Sequence, residues 1–145
     1  MAEPMLQFVS RPKRTPEKRA ANERRKDFRE IYGLCGPAEA AGQAGRCSQC
    51  GIPYCQIDCP LANDIPDWLM LAAGGRLEEA YRVSSATNNM PEICGRICPH
   101  DKLCEGSCVI ETAGHGTVTI GAIEKHITGV AWDRGWVKPP LPRRE

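Results

Sequence analysis

Long apolar segments are missing from this sequence of 145 residues. No run of 18 apolar residues occurs, so the sequence predicts no membrane-spanning helix. The first residues have no apolar run behind a basic start, and we therefore expect no secretory leader and a cytoplasmic location. Aromatic residues are also few: three tryptophans, three tyrosines and two phenylalanines. These residues supply only a small hydrophobic core for a chain of this length.

An excess of charge of either sign is missing as well. The 19 basic and 18 acidic residues leave a net charge of +1, so we expect no nucleic-acid or membrane partner. The charges are nevertheless segregated along the chain. Residues 1–34 carry nine basic and five acidic side chains, whereas residues 47–112 carry four basic and nine acidic ones. A basic arm, either a solvated helix or a docking element, therefore precedes an acidic centre.

Motifs that bind phosphate groups or dinucleotides are the third absence. Gly114-His115-Gly116 lacks both the third glycine and the preceding strand of a dinucleotide fingerprint. No phosphate-binding loop occurs either. The sequence therefore contains no evident site for a nicotinamide or for a substrate.

The sequence contains nine cysteines, which could stabilise a chain whose hydrophobic core is small. A cytoplasmic chain keeps its thiols reduced, and an odd number fits complete disulfide pairing poorly, so metal ligation is expected. Cys35 stands alone before Gly36-Pro37 and is predicted to be a free thiol. The other eight form two quartets, Cys47-x2-Cys50-x4-Cys55-x3-Cys59 and Cys94-x3-Cys98-x5-Cys104-x3-Cys108.

The two quartets indicate two metal centres. A structural zinc site takes four ligands, usually as two separated pairs, whereas thiols this closely spaced are typical of iron–sulfur clusters. Cys55-x3-Cys59-Pro60 matches the end of the bacterial ferredoxin motif, but the gap of four residues before Cys55 departs from it. We predict two iron–sulfur clusters, with two zinc ions as the alternative.

The reach of the chain predicts how the thiols are shared. A first cluster is assigned four ligands, Cys47, Cys50, Cys55 and Cys108. Pro60 turns the chain away after the first quartet, so the second cluster is assigned Cys59, Cys98 and Cys104. The last ligand of the second cluster is either Cys94 or a residue further along the chain.

Glu124 is the other candidate for that last position. At about 100° per residue, it falls on one narrow helical stripe with Ile120, Ile127 and Ala131. An unpaired carboxylate among apolar neighbours is unfavourable, and a bond to iron would remove that penalty. The alternatives are a basic partner for Glu124 or a helix rotated so as to expose it.

Bound clusters would make the centre of the chain more negative. Two cluster cores of about +2 each and seven thiolates would change the net charge from +1 to about −2. Three basic residues close in sequence to the cysteines are predicted to offset this charge: Arg46, Arg96 and Lys102.

Helix signals are clear, and we predict an all-α domain with long cluster-binding loops. A largely exposed helix is predicted from Thr15-Pro16-Glu17 to Tyr32, with Phe28 and Ile31 as its apolar contacts. Further helices are predicted from 63 to 73, from 76 to 87 and from 119 to 132. Residues 117–120 carry the one weak strand signal. The predicted divisions are a basic helical arm (1–36), a two-cluster domain (37–132) and a proline-rich linker (133–145).

Several motifs together resemble the N-terminal region of the small (beta) subunit of bacterial NADPH-dependent glutamate synthase. The similar stretches are 16–19, 23–28, Arg46-Cys47-Ser48-Gln49-Cys50-Gly51-Ile52-Pro53-Tyr54-Cys55 through Cys59-Pro60, 86–92, Gly95-Arg96-Ile97-Cys98-Pro99, Cys104-Glu105-Gly106 and 120–125. The N-terminal domain of dihydropyrimidine dehydrogenase is similar in its cysteine layout, more distantly.

The resemblance implies an α-helical ferredoxin-like domain that holds two 4Fe–4S clusters. It implies the interleaved ligand sets given above, and it favours Glu124 over Cys94, because the dehydrogenase has a glutamine ligand at the matching position. Cys94 stays a reserve candidate.

The resemblance also implies an oxidoreductase that relays electrons from NADPH and FAD, through these clusters, to the glutamate synthase large subunit. There, glutamate is made from glutamine and 2-oxoglutarate. The FAD and NADPH sites would lie in a C-terminal flavoprotein region absent from this sequence, so we expect the chain alone to carry electrons without catalysing a reaction. An iron–sulfur domain of another flavoprotein oxidoreductase is the alternative.

Overall fold

The computed structural model describes residues 6–33 and 35–139. Within these ranges the chain forms nine α-helices and one 3-10 turn, with no strand beyond a single bridge between Lys18 and Tyr32. The helices are α1 Gln7–Ser10, α2 Ala21–Arg24, α3 Pro37–Ala44, α4 Tyr54–Ile57, α5 Ile65–Ala73, α6 Leu77–Ala86, α7 Pro91–Ile97, α8 Val109–Thr112 and α9 Ile120–Asp133. The 3-10 turn spans His100–Lys102. The all-α prediction is confirmed, and residues 117–120 form no strand.

Three of the predicted helices are present within one or two residues of their expected ends. Helix α5 begins beside Pro66, which is favourable in a first turn, and Gly74 terminates it. Helix α6 buries Ala80 and Ser84 on its predicted face. Helix α9 is the longest of the described helices, and it carries the predicted buried stripe.

The predicted arm helix from Thr15 to Tyr32 is wrong. Only Ala21–Arg24 is helical there, and residues 17–33 instead form a closed loop. The Gly33 amide donates to the Glu17 carbonyl at 2.8 Å, and Arg19 makes two hydrogen bonds to Asp27 at 2.8 and 2.9 Å. Phe28 is fully exposed. Ile31 and Tyr32 are also exposed, so residues 17–33 bury little apolar surface, and contacts between the ends of this loop decide its conformation.

Two helices that we did not predict, α3 and α7, also pack into the domain. Both begin with proline at the first helical position, Pro37 and Pro91. Helix α7 lies close to α9, since a Cβ atom on Gly95 would come within 2.8 Å of the Gly121 carbonyl oxygen and the Lys125 amide nitrogen. Glycine at position 95 therefore permits the contact that brings these two helices together.

The core lies where α5, α6 and α9 meet. Its largest fully buried apolar side chains are Trp68, Leu69, Ile123, Ile127 and Val118. The Trp68 indole donates to the Asn63 side-chain oxygen at 2.6 Å, and the Asn63 amide donates to the Ser84 carbonyl at 2.7 Å. This buried network satisfies its polar atoms and connects the start of α5 to the end of α6.

The remaining described residues add little regular structure. No helix in residues 6–33 or 35–139 is long and apolar enough to cross a membrane. The predicted proline-rich linker lies partly outside the described residues, which end at Pro139, and residues 136–139 have no regular secondary structure.

Candidate metal centres

The first-quartet thiols Cys47, Cys50 and Cys55 lie around one small cavity together with Cys108. The cavity has a volume of about 20 Å³, and Leu69, Ile110 and Val118 contribute to its apolar wall. We call it the first cavity. Its thiols are the four that the sequence assigned to the first cluster. They line the same cavity although Cys108 is separated from the others by more than fifty residues.

Local structure explains how these four thiols come to lie around one cavity. Cys47 follows α3, and its amide donates to the Ala44 carbonyl at 3.0 Å, which closes the end of that helix. Cys55 lies in the short helix α4. Cys108 immediately precedes α8, and its carbonyl oxygen accepts from the Glu111 amide at 2.9 Å. The first cavity therefore combines one continuous loop with one residue from the second half of the chain.

Burial disfavours thiolates in the first cavity. Desolvation raises the pKa of Cys47 to about 11 and that of Cys55 to about 12, and the charges of Cys108 and of the other thiols in the cavity add to both shifts. Neutral thiols are therefore favoured at Cys47 and Cys55 at neutral pH. A bound cation would reverse that preference, because metal coordination deprotonates thiols.

The second cavity is larger and collects donors from four parts of the fold. It has a volume of about 410 Å³. Its wall includes the remaining cysteines of both quartets and one carboxylate: Cys59, Cys94, Cys98, Cys104 and Glu124. Cys59 follows α4, Cys94 lies in α7, Cys98 ends α7, Cys104 follows the 3-10 turn, and Glu124 lies in α9.

Two second-cavity thiols have raised pKa values. Desolvation raises the pKa of Cys98 to about 11, and Cys94, Glu124 and Cys59 contribute through their charges, as does a hydrogen bond of the Cys98 thiol with Cys94. Desolvation also raises the pKa of Cys104, with contributions from the charges of Glu105, Glu124 and Cys59. The charges of these donors therefore act on one another across the second cavity.

Glu124 is buried on the predicted stripe of α9. It is 7% exposed, and Ile120, Ile127 and Ala131 are buried beside it. The Asn88 side-chain amide donates to Glu124 Oε1 at 3.2 Å. Desolvation raises the pKa of Glu124 to about 7, against the opposing effect of that hydrogen bond. Asn88 was not among the predicted site residues, although it lies in a motif that carries the family resemblance.

Neither alternative for Glu124 is observed within the described part of the chain. No basic side chain lies within ion-pair distance of Glu124 among residues 6–33 and 35–139. The helix is not rotated to expose the carboxylate. Because Cys94 also lies at the wall of the second cavity, that cavity has five candidate donors where a cluster would need four.

These donors do not converge on a single point. Among the described residues, no three His, Cys, Asp or Glu side chains are close enough together to bind one metal ion. Each set lies instead around the wall of a cavity.

Comparison with known proteins identifies the group that such donors bind. The sequence family described as "Dihydropyrimidine dehydrogenase domain II, 4Fe-4S cluster" matches residues 24–136. The chain belongs to this iron–sulfur family. The match includes all eight cysteines of the two quartets, and the family description favours iron–sulfur chemistry over the zinc alternative.

The small chains of NADPH-dependent glutamate synthase are similar over most of this chain. That of Azospirillum brasilense is 63% identical over 141 residues, which is 97% of this chain. That of Escherichia coli strain K12 is 45% identical over 94% of this chain, and that of Mycobacterium tuberculosis strain H37Rv is 40% identical over 99%. This chain covers only 29% of the length of each of these three relatives.

The donors around both cavities fit the group named in the family description. Cysteine thiolates are the usual protein ligands of 4Fe–4S clusters, and each cavity has at least four candidate donors. Cys35 lies outside both cavities, and its role as a free thiol stays a prediction. His100 lies at the wall of the second cavity, where its Nε2 atom is buried without a hydrogen-bond partner among the described residues.

The three basic residues expected to offset cluster charge occupy different environments. Arg46 is fully buried. Arg96 donates to the Glu30 carboxylate of the arm at 2.8 Å, and Lys102 is exposed. Sequence reasoning gave these three residues the same role, but only Arg46 is buried away from solvent.

Proposed function

We propose that the chain is an electron-transfer module that holds two 4Fe–4S clusters. The first would be held by Cys47, Cys50, Cys55 and Cys108, and the second by Cys59, Cys98, Cys104 and Glu124. The observation that carries the proposal is the presence of two separate donor-lined cavities that each draw donors from both halves of the chain. When bound, such clusters supply one-electron transfer.

The protein's own residues would bind and shield these groups. Thiols from the 47–59 segment and from the second half of the chain hold the two halves together when they share one centre. Apolar side chains such as Leu69 and Val118 exclude water from the first cavity. Asn88 orients the Glu124 carboxylate through its hydrogen bond. An apolar wall keeps water away from a bound cluster. Less solvent then has to reorganise when the cluster gains or loses an electron.

Glu124 is our choice for the fourth donor of the second cluster. Its burial and its position on the second cavity support this assignment. Its raised pKa shows that an uncompensated carboxylate is disfavoured there, and a bound cation would remove the penalty. Cys94 is the reserve candidate, since it lies on the same cavity.

We further infer that this module serves NADPH-dependent glutamate synthase. The similarity to small chains from three bacteria supports this inference. The rest of a longer small chain would bind FAD and NADPH, and a large subunit would use the electrons to form glutamate from glutamine and 2-oxoglutarate. We propose a cytoplasmic location, with neither nucleic acid nor membrane as a partner, and no catalysis by this chain alone.

A second candidate function is electron transfer within another flavoprotein oxidoreductase. The description of the matching family names dihydropyrimidine dehydrogenase and not glutamate synthase. This name supports the idea that domains of the family serve more than one kind of redox enzyme. The two candidates differ in the partner chain. Co-purification with a large glutamate synthase chain would support the first candidate, and co-purification with a pyrimidine reductase would support the second.

Anaerobic purification tests the proposal. We expect about eight iron and eight sulfide per chain, and broad visible absorption that dithionite bleaches. A Cys35→Ser variant is the matched control, because its thiol lies outside both cavities, and we expect it to retain all of the iron. A folded, colourless product with about two zinc ions per chain would contradict the proposal.

A further inference from the structure

Arg46 is a fully buried cation whose hydrogen bonds all go to neutral acceptors. Its side chain is 0% exposed, and it immediately precedes Cys47 of the first cavity. The guanidinium donates to four backbone carbonyl groups, those of Arg11 at 2.8 Å, His115 at 2.9 Å, Gly116 at 2.7 Å and Thr117. These contacts connect the arm, the end of α3 and the segment before α9.

No carboxylate within the described ranges lies close enough to Arg46 to form an ion pair. Glu111 is the carboxylate whose charge acts on Arg46, but its Oε2 atom accepts from the Thr117 amide at 2.5 Å. Arginine keeps its proton in proteins. A buried cation without an anionic partner is strongly unfavourable, so a negative group close by is expected.

The first cavity supplies that negative charge when its thiols are deprotonated. Arg46 directly precedes Cys47, and its acceptor Thr117 directly precedes Val118, so Arg46 is flanked by two residues that line the first cavity. Cys108 lies on the first cavity with Cys47, Cys50 and Cys55. Four thiolates around a cluster core of about +2 would leave a net charge of about −2. Arg46 is thus a buried positive charge beside the group with the most negative charge in this part of the molecule.

We propose that Arg46 is the counter-ion of the first iron–sulfur centre and sets its reduction potential. This inference rests on the proposed function. Reduction adds one electron from an external reductant and makes the centre more negative by one unit, while the guanidinium keeps its proton. A fixed cation nearby therefore stabilises the reduced form more than the oxidised form, and so raises the potential.

The same side chain also holds three segments together, so charge and structure must be separated. Arg46→Lys keeps the charge but cannot reproduce the planar set of donors. Arg46→Met keeps a long side chain and removes the charge. Arg76→Met is the matched control, because Arg76 is exposed immediately before α6 and pairs only with Glu79 among the described residues.

The experiment is an anaerobic redox titration of the iron-loaded chain and of the three variants. A Cys108→Ala variant identifies which of the two transitions belongs to the first centre. For Arg46→Met we expect the reduced-to-oxidised ratio of that centre, at the wild-type midpoint, to fall about tenfold, which is 59 mV for a one-electron couple. Arg46→Lys and Arg76→Met should shift it by less than about twofold.

Iron loss to a chelator is the second measurement, and it applies even where the potential of one centre cannot be measured. Arg46→Met should lose first-centre iron about tenfold faster than wild type, and Arg46→Lys should lose it at nearly the wild-type rate. Wild-type potential and retention in Arg46→Met would overturn the inference. Equal losses in the Met and Lys variants would also overturn it, because they would trace the effect to the donor geometry.

Failure of Arg46→Met to load iron still gives a decisive result. If Arg46→Lys then retains the first centre, charge is what matters, and the inference is supported. If Arg46→Lys loses that centre too, the inference is wrong. Absence of iron from the wild-type chain would instead contradict the proposed function, so the two failures are distinguishable.

Discussion

The two candidate centres are built in different ways. The first cavity has a volume of about 20 Å³, takes three thiols from one loop of nine residues and lies beside the buried Arg46. The second has a volume of about 410 Å³ and takes its donors from α7, from α9 and from the segments after α4 and after the 3-10 turn. Local chain geometry therefore largely forms the first, whereas helix packing forms the second.

The arm contacts the surroundings of both centres, with a neutral group at one and a charged group at the other. Near the first, the arm supplies the neutral carbonyl of Arg11 to the cation Arg46. Near the second, it supplies the Glu30 carboxylate, which lies 2.8 Å from Arg96 Nε and 3.3 Å from Lys125 Nζ. Arg96 lies between Cys94 and Cys98, and Lys125 follows Glu124. Glu30 therefore connects the two helices that carry donors of the second cavity.

The largest expected effects come from removing one thiol of each centre. Cys108→Ala should reduce iron from about eight to about four per chain by emptying the first centre, although the residue lies far from Cys47 in sequence. Cys98→Ala should remove a similar amount from the second centre. Iron analysis and the visible spectrum measure both losses. Selective loss of the centre that contains Cys98 in the Cys108→Ala variant would show that the ligand sets are wrong.

The next largest effect is expected from removing the fourth donor of the second centre, which is either Glu124 or Cys94. Glu124→Ala should change the spectrum of the second centre and speed its iron loss about tenfold or more, because a donor is removed. Cys94→Ala should leave both properties close to wild type. Anaerobic spectra and chelator kinetics of the two variants distinguish the candidates. The reverse result would assign the position to Cys94.

A smaller effect is expected when the arm loses its carboxylate. Desolvation opposes ionisation of Glu30, but hydrogen bonds from Arg96 and Lys125 outweigh it and lower the pKa of Glu30 to about 2. Because Glu30 is partly exposed, Glu30→Gln should destabilise the arm by about 0.5–1 kcal/mol. Amide hydrogen exchange should accelerate in residues 17–33 and α7, while the first centre stays unchanged. Equal acceleration around Cys47 would contradict the separate roles of the two arm contacts.

The smallest effect should follow from opening the arm loop itself. The hydrogen bonds from Arg19 and the Arg29 amide lower the pKa of Asp27 to about 2, so Asp27 is charged at neutral pH. Asp27→Asn should weaken its bidentate pairing with Arg19. Trypsin should then cleave at Arg24 or Arg25 faster than in wild type, with iron content unchanged. Lys26→Gln, at an exposed pair with Glu23, should have no such effect beyond loss of its own cleavage site.

Helices in which buried apolar residues repeat over several turns were predictable from the sequence. Short helices and helices without such a pattern were not. Helix α9 repeats buried residues from Ile120 to Ala131, and α5 has proline at its start and glycine at its end. Helix α7 spans only Pro91–Ile97, too few residues for a clear period. The arm has a helix start signal at Thr15-Pro16, yet hydrogen bonds between its distant ends prevail over it.

In the candidate site, too, some features were predictable from the sequence and others were not. The burial of Glu124 followed from the period of α9, because a helix of known phase places residues on a face. The surroundings of Arg46 did not follow, because its acceptors His115, Gly116 and Thr117 lie about seventy residues further along the chain. Backbone carbonyl groups are present at every residue, so no residue type marks them as partners.

The sequence by itself determined the kinds of donor, their spacing and the helical class of the fold, because these depend on side-chain chemistry and on short-range periodicity. Only the tertiary structure decided the volume of each cavity, the contact of Asn88 with Glu124 and the full burial of Arg46. Those properties depend on how α7 and α9 approach each other and on how the arm closes over them. Such contacts join residues far apart in the chain, where local pattern carries no information about distance.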